Sequence, residues 1–364
     1  MNIPDTTVEA KISKSSFGLL PDGREVHEFS FFNKNGISAS ILNYGGIIKS
    51  IMTPDRNGEF GDIILGYDDL DGYLNDKTYM GALIGRYSNR IASASINIDG
   101  IKFPVSRNDG SNNLHGGVNG FNKVLWRAEI ITNGDNPKLK LHHTSHDGDQ
   151  GFPGELQVSA TYSLNDENEL SIELNARTNQ RTVVSLTMHP YINLGNHRNE
   201  NINDHHLLIR SNKYLPLDEN MIPTGEKQNV DNSPFDFRSM RSIGSTINKK
   251  NIQLKTAGGY DHCYVIDKPE LNERSIARLY HPGTGREFRL QSNSPGLQLY
   301  TSNFLDSRIK GKNDIPFRKL QAVCLEPQQF PNAPNETSFP STIVSPDEVY
   351  QHKIIYKFNQ NIQD

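Results

Sequence analysis

Between Leu156 and Ala176 the chain alternates with a period of two. Leu156, Val158, Ala160 and Tyr162 are separated by Gln157, Ser159 and Thr161, and Leu170, Ile172, Leu174 and Ala176 by Ser171, Glu173 and Asn175. Successive side chains of a strand point to opposite faces, so the pattern describes strands with one buried face. The run NDEN at 165–168 supplies the turn, which predicts an antiparallel hairpin.

The segments 37–52, 95–103, 139–143, 205–210, 262–266, 286–291, 297–301 and 321–326 also read as strands, and no stretch of 15 residues carries a helical period. Many short strands, each with one apolar face, must cover one another, so the predicted fold class is all-β, a large antiparallel β-sandwich. Nothing in the composition divides the chain, and residues 1–364 read as a single domain in which the polar stretch 227–251 is a surface excursion.

Charge and cysteine content narrow the function. With 38 basic against 42 acidic residues the net charge is -4, which leaves no field to hold a phosphate backbone and argues against nucleic acid. The opening MNIPDTTVEAKISKSS has neither the basic nor the apolar region of an export signal, and no run of about 18 apolar residues follows, so membrane insertion is not expected. Cys263 and Cys324 are too few for a disulfide framework or a cysteine zinc site and fit buried, reduced thiols in the cytoplasm.

Five segments could carry chemistry. In GRYSNRI (85–91), Asn89 and Arg90 offer donors to hydroxyl oxygens beside a glycine turn. In NNLHGG (112–117), His115 precedes Gly116 and Gly117, whose missing side chains would let a ligand approach the backbone. In SLTMHPYINLG (185–195), parity puts Val184, Leu186 and Met188 on one face and Thr187 and His189 on the other, and Pro190 ends the strand. GGYDHCYVI (258–266) carries an acidic residue, Asp261. In AVCLEPQQFPNAPN (322–335), Val323 and Leu325 face one way and Cys324 and Glu326 the other, with Pro327 expected to end the strand. Partial burial there would raise the pKa of Glu326 toward that of a useful base. Gln298 also has the outward parity, between Leu297 and Leu299.

Other constellations carry less. His142 and His143 point to opposite faces of a strand, so with His146 they make no metal cluster. DGDQG (147–151) is a fragment of a calcium loop, and NET (335–337) matches a glycosylation acceptor without an export context. No metal site is predicted.

Taken in order, the segments NYGGIIKSIMTPDRNGEFGDIILGYDDLDGYL, GRYSNRI, NNLHGGVNGFNKVLW, GDQGFPGEL, LTMHPYINL, YLPLDENMIPTGE, GGYDHCYVI, PGLQLYTSNFLD and CLEPQQFPNAPN resemble the aldose 1-epimerase (galactose mutarotase) family over nearly the whole chain. The resemblance implies a mutarotase-like β-sandwich with a sugar cleft, and cofactor-independent exchange of the α and β anomers of free hexoses. It implies Glu326 as general base and His189 as general acid, with Asn89, Arg90, His115, Asp261, Gln298 and, less strongly, Tyr191 on the sugar. Met188 and Ile192 stand where the family commonly has Asn and Phe, and Tyr87 and Ser88 where it often has Val and Ala.

Ring opening removes a proton from the anomeric hydroxyl and delivers one to the ring oxygen, which calls for a base and an acid. The expected arrangement is an ionised Glu326 and a protonated His189 on opposite sides of one bound monosaccharide, in a protein that is a monomer or homodimer. Two other readings stay open. A sugar-phosphate epimerase of the same superfamily would need extra cations around the cleft. A non-catalytic carbohydrate-binding protein would use aromatic platforms such as Trp126, Tyr300 and Phe304. A glycoside hydrolase is disfavoured, because it normally needs two positioned carboxylates, and of the two available, Glu326 and Asp261, the second is assigned to binding.

Overall fold

A strand needs partners for its backbone and cover for its apolar face. In a computed structural model of the chain, which describes residues 11–132, 136–198, 201–247, 250–267 and 275–360, three larger antiparallel sheets supply both. Nine strands form the largest, in the spatial order Arg127–Ile131, Lys138–Ser145, Leu156–Leu164, Glu169–Thr178, Tyr350–Gln360, Arg286–Ser292, Ala277–Tyr280, His206–Ile209 and Arg241–Ser242. The predicted hairpin pairs Leu156 with Thr178 and Leu164 with Leu170, and every apolar residue of its alternation is buried.

An N-terminal meander of five strands, Lys11–Leu19, Glu25–Phe32, Ser38–Leu42, Ile48–Pro54 and Phe60–Asp62, forms the second sheet. The third runs Gln228–Asn229, Lys213–Tyr214, Asp261–Val265, Gly296–Tyr300 and Cys324–Gln328. One buried cluster takes side chains from all three, including Phe29 and Ile41, Leu141 and Ile172, and Leu297, Leu299 and Leu325. Val184, Leu186 and Met188 join it as their parity predicted.

Several strands differ from their expected extent. The segment 37–52 is two strands, because Gly45 (φ 65°) and Gly46 (φ 57°) turn the chain; a Cβ on Gly45 would sit 2.5 Å from the Asn122 carbonyl oxygen. The segment 95–103 is the hairpin Ser95–Ile98 and Ile101–Pro104, turned by Asp99 (φ 54°) and Gly100 (φ 85°). Asp-Gly is a strong hairpin signal there. Pro327 lies inside Cys324–Gln328 instead of ending it, opposite Leu297. That strand is at a sheet edge, where a missing N–H is tolerated.

The stretch 227–251 is more than a surface excursion. Val230, Phe235, Phe237 and Ile243 are buried, and Phe235 stacks on Tyr214 with centroids 4.0 Å apart. A few aromatic anchors in a polar run are enough to seal the end of the third sheet.

Candidate active site

The third sheet turns one row of side chains to the core and the other to a cavity. On the cavity parity, Gln298 sits between Cys263 and Glu326 on the neighbouring strands, and Tyr300 sits between Asp261 and Cys324. His189 comes from the end of Thr187–Met188. Its N–H donates to the Ala82 carbonyl at 2.9 Å and its carbonyl accepts from the Gly81 N–H at 3.0 Å, which ties it to the cavity wall at 77–82. Asn89, Arg90, His115, His189, Tyr191, Asp261 and Glu326 all line the cavity, together with Lys77, Thr78, Tyr79, Leu114, Tyr300 and Phe304.

His189 Nε2 lies 3.5 Å from Glu326 Oε1, with the two side chains 5% and 2% exposed. The two heads are therefore neighbours and not opposed across the width of a sugar ring. Burial also sets their charge state against expectation. It pushes His189 down to about 4, and burial, followed by the nearby Asp261 carboxylate, pushes Glu326 well above the ordinary carboxylate range while Arg90 opposes the rise. Although the distance would suit an ion pair, neither charge is solvated, so a proton shared by the two sits on Glu326 in preference to His189, and the neutral pair is favoured over the ion pair. His189 Nδ1, Glu326 Oε2 and Gln298 Oε1 are buried without hydrogen-bond partners in the protein. Buried polar atoms are seldom left so, and two of these, on His189 and Glu326, belong to residues that line the cavity.

Asn89 and His115 position each other. The Asn89 N–H donates to His115 Nδ1 at 3.1 Å, and the His115 N–H donates to the Asn89 carbonyl at 3.2 Å. A neutral imidazole has one donor and one acceptor nitrogen, so the ring proton of His115 is on Nε2. His115, His189 and Glu326 each bring a ligand atom within 4.8 Å of the others. They do not fit a metal, because one His115 nitrogen carries a proton and the other already accepts one. The cluster of Asp204, His205 and His281 fails for a similar reason: His205 Nε2 accepts the Leu194 N–H at 2.9 Å, which leaves its Nδ1–H for Asp204.

Arg90 is held at the cavity by Asp109 (Nε to Oδ2, 2.8 Å) and Asp261 (Nη1 to Oδ2, 3.5 Å). Gln298 is not among the lining residues; its Nε2 donates to Asp261 Oδ1 at 2.6 Å from the adjacent strand of the same sheet. Tyr191 donates its hydroxyl to the Thr78 carbonyl at 2.9 Å and lays its ring against His189, centroids 5.1 Å apart.

The other arginine of the turn, Arg86, is buried and donates to the Ser145 hydroxyl and to the carbonyls of Ser145, His146, Pro153 and Gly154. The glycines after His115 serve the fold and not a ligand. A Cβ on Gly116 would lie 1.9 Å from the Gly85 carbonyl oxygen, and one on Gly117 would lie 2.0 Å from Ser106 Oγ. Trp126 is buried against Phe121 and His143 and offers no sugar platform. The amide of Asn335 donates to the Ser95 carbonyl and to Asn332. Met188 and Ile192 both fill the core, Met188 with its sulfur 3.7 Å from the Tyr162 hydroxyl. Sequence reasoning missed Lys77–Tyr79, which lie on an irregular segment with no periodic or motif signal to place them.

The fold and cavity place the chain among galactose-mutarotase-like proteins. Its structure superposes on the GalM/aldose epimerase homologue of C. elegans with a TM-score of 0.82 at 27% identity, covering 96% of this chain and 99% of that one. It superposes on galactose 1-epimerase from Lactobacillus acidophilus NCFM with a TM-score of 0.85 at 24% identity, covering 97% and 100%. The aldose 1-epimerase family profile matches residues 28–357. Galactose mutarotase of Homo sapiens is 38% identical over 350 residues, 96% of this chain and 99% of that protein. Aldose 1-epimerase of Escherichia coli (strain K12) is 31% identical over 342 residues, 93% and 97%. The chain belongs to the aldose 1-epimerase family.

Proposed function

We propose that this protein is an aldose 1-epimerase that interconverts the α and β anomers of free hexoses such as glucose and galactose, with Glu326 as base and His189 as acid. The observation that carries the assignment is the 3.5 Å contact between their heads inside the cavity. The anomeric oxygen and the ring oxygen share one carbon, so both proton transfers fall on neighbouring atoms. Two adjacent groups therefore serve the reaction better than two opposed across the ring.

The neutral pair holds one titratable proton, on Glu326, beyond the N–H of the neutral imidazole. Transfer of that proton from Glu326 to His189 primes the site without exchange with solvent. Glu326 then takes the proton of the anomeric hydroxyl; C1=O forms as the bond from C1 to the ring oxygen breaks, and that oxygen receives the proton of His189. Rotation about C1–C2 presents the other face of the aldehyde, and the same steps reverse. The Nε2–H of His115 and the Arg90 guanidinium are the donors for developing negative charge. Asn89 and Asp261 hold hydroxyls, Gln298 holds Asp261, and Tyr191 braces His189.

A sugar phosphate is disfavoured, because Arg90 already serves two carboxylates and Lys77 is the one other cation among the described residues that line the cavity. We read residues 1–364 as one domain, supported by the core cluster that the three sheets share, and assign it to the cytoplasm on its two buried free thiols. No helix among the described residues is long and apolar enough to cross a membrane. Polarimetry of freshly dissolved α-glucose, α-galactose, xylose and glucose 6-phosphate tests the assignment. Faster decay of the free sugars is expected, and no acceleration of any of them would overturn it.

A further inference from the structure

The side chain of Asp76 makes four of the hydrogen bonds that hold the segment between the helix Leu70–Asn75 and the cavity. Asp76 caps that helix, its N–H donating to the Tyr73 carbonyl at 3.3 Å. Its Oδ1 accepts from the Tyr67 hydroxyl (2.9 Å), the Thr78 N–H (3.1 Å) and the Thr78 hydroxyl (2.6 Å), and its Oδ2 accepts from the Met80 N–H (2.9 Å). Four donors on one carboxylate wind residues 77–80 into a tight loop.

That loop reaches the proposed chemistry by two routes. The carbonyl of Thr78 receives the Tyr191 hydroxyl, and the Tyr191 ring lies on His189. Tyr79 sets its ring edge-on to His115, centroids 4.6 Å apart, and lies 6.3 Å from the ring of His189. Its backbone has φ 59°, a left-handed conformation that a bulky residue adopts only when its surroundings impose it. The bonds from Asp76 to the residues on either side of Tyr79 contribute to it, together with the Ala82 N–H on the Tyr79 carbonyl (3.1 Å) and Asn108 Nδ2 on its hydroxyl (3.2 Å).

We propose that Asp76 is a positioning residue of this site, folding residues 77–80 into a clasp that holds Tyr79 over His115 and, through Thr78, Tyr191 against His189. The clasp excludes water from both imidazoles and fixes their rings. It acts on catalysis through those rings, so the inference rests on the mutarotase reading for its kinetic consequence but not for its geometry.

The test compares Asp76→Ala, Asp76→Asn and Thr78→Val with the wild-type chain, each shown to be folded at 25 °C by circular dichroism. Misplacing a reacting group by about 1 Å can cost about 10²-fold in rate. Asp76→Ala is accordingly expected to lower kcat at least about tenfold, with a smaller change in KM. Its acid limb should move up from about 4 toward the ordinary imidazole value as water reaches His189, which Glu326, His115, Tyr79, Tyr191 and Tyr300 otherwise surround.

Asp76→Asn keeps Oδ1 and should recover part of the loss. Should Asp76→Ala not fold, Thr78→Val, which removes one bond and keeps the shape, carries the test with a smaller drop in kcat. Side-chain ¹⁵N shifts of His115 and His189, recorded without sugar, read the clasp independently of turnover. Folded variants with wild-type kcat, acid limb and imidazole shifts would overturn the inference. Displaced shifts in a chain whose wild type does not accelerate mutarotation would support the clasp and reject the mutarotase reading.

Discussion

His115 accepts the backbone N–H of Asn89 on Nδ1 at 3.1 Å, and this one bond decides what the imidazole offers to the cavity. With Nδ1 occupied, Nε2 is a fixed donor. A long-range ¹H–¹⁵N correlation is expected to place the proton of His115 on Nε2, and dialysis against a chelator is expected to leave the mutarotation rate unchanged. A rate abolished by chelation and restored by a divalent cation would contradict the assigned tautomer.

Glu326→Gln and His189→Asn should each lower kcat by at least about 10², the ordinary contribution of a proton-transfer group. In the wild type the rate should fall below about pH 4, where His189 becomes imidazolium while Glu326 is still protonated, and again as pH rises past the raised value of Glu326, where the pair loses its shared titratable proton. Glu326 holds its proton in the folded state to a higher pH than in the unfolded chain, so folding is penalised as pH rises past the ordinary carboxylate range. Glu326→Gln removes that penalty and should melt no lower than wild type, which separates lost chemistry from lost fold.

Gln298→Leu removes the 2.6 Å bond that orients Asp261. A hydrogen bond to a charged group contributes about 1.5–3 kcal/mol. Loss of orientation should raise KM by roughly tenfold or more with a smaller effect on kcat, a split that steady-state kinetics on a fixed anomer would resolve. An unchanged KM would remove Gln298 from the site.

Gly116→Ala places a methyl group 1.9 Å from the Gly85 carbonyl oxygen at φ 86°. Backbone cannot yield as a side-chain end would, and the destabilisation should reach at least about 2 kcal/mol in urea unfolding. The His115 imidazole, one residue away, should be displaced and activity lost with it.

Buried histidines make the fold acid-sensitive. Burial lowers His189 to about 4, His262 to about 3 and His352 to about 4, against an ordinary value near 6.5. Their folded pKa values are depressed, so stability is full above about 6.5 and drains as pH falls, because the unfolded chain takes up protons that the native one refuses. Each adds a slope of about 1.4 kcal/mol per pH unit between its two pKa values. Denaturant midpoints measured from pH 7 to pH 4 should fall steadily, and the fall should be shallower in a His352→Gln variant.

Local pattern determined much of this protein. The alternation from Leu156 to Ala176 specified a hairpin because strand periodicity is a property of the chain itself, and the same parity rule put Gln298, Glu326 and Cys324 on one side of their strands. Parity alone could not say that this side would be a closed cavity, since exposure depends on what packs above it. Glu326 is 1% exposed because segments from elsewhere in the chain, His189 and Lys77–Tyr79 among them, wall the cavity in. Burial then decided the protonation of the Glu326–His189 pair, which no spacing encodes. The placement of Tyr350–Gln360 between Glu169–Thr178 and Arg286–Ser292 and the duty of Gly116 against Gly85 belong to the same class. Each depends on contacts between residues far apart in sequence, and such contacts exist only once the sheets have packed.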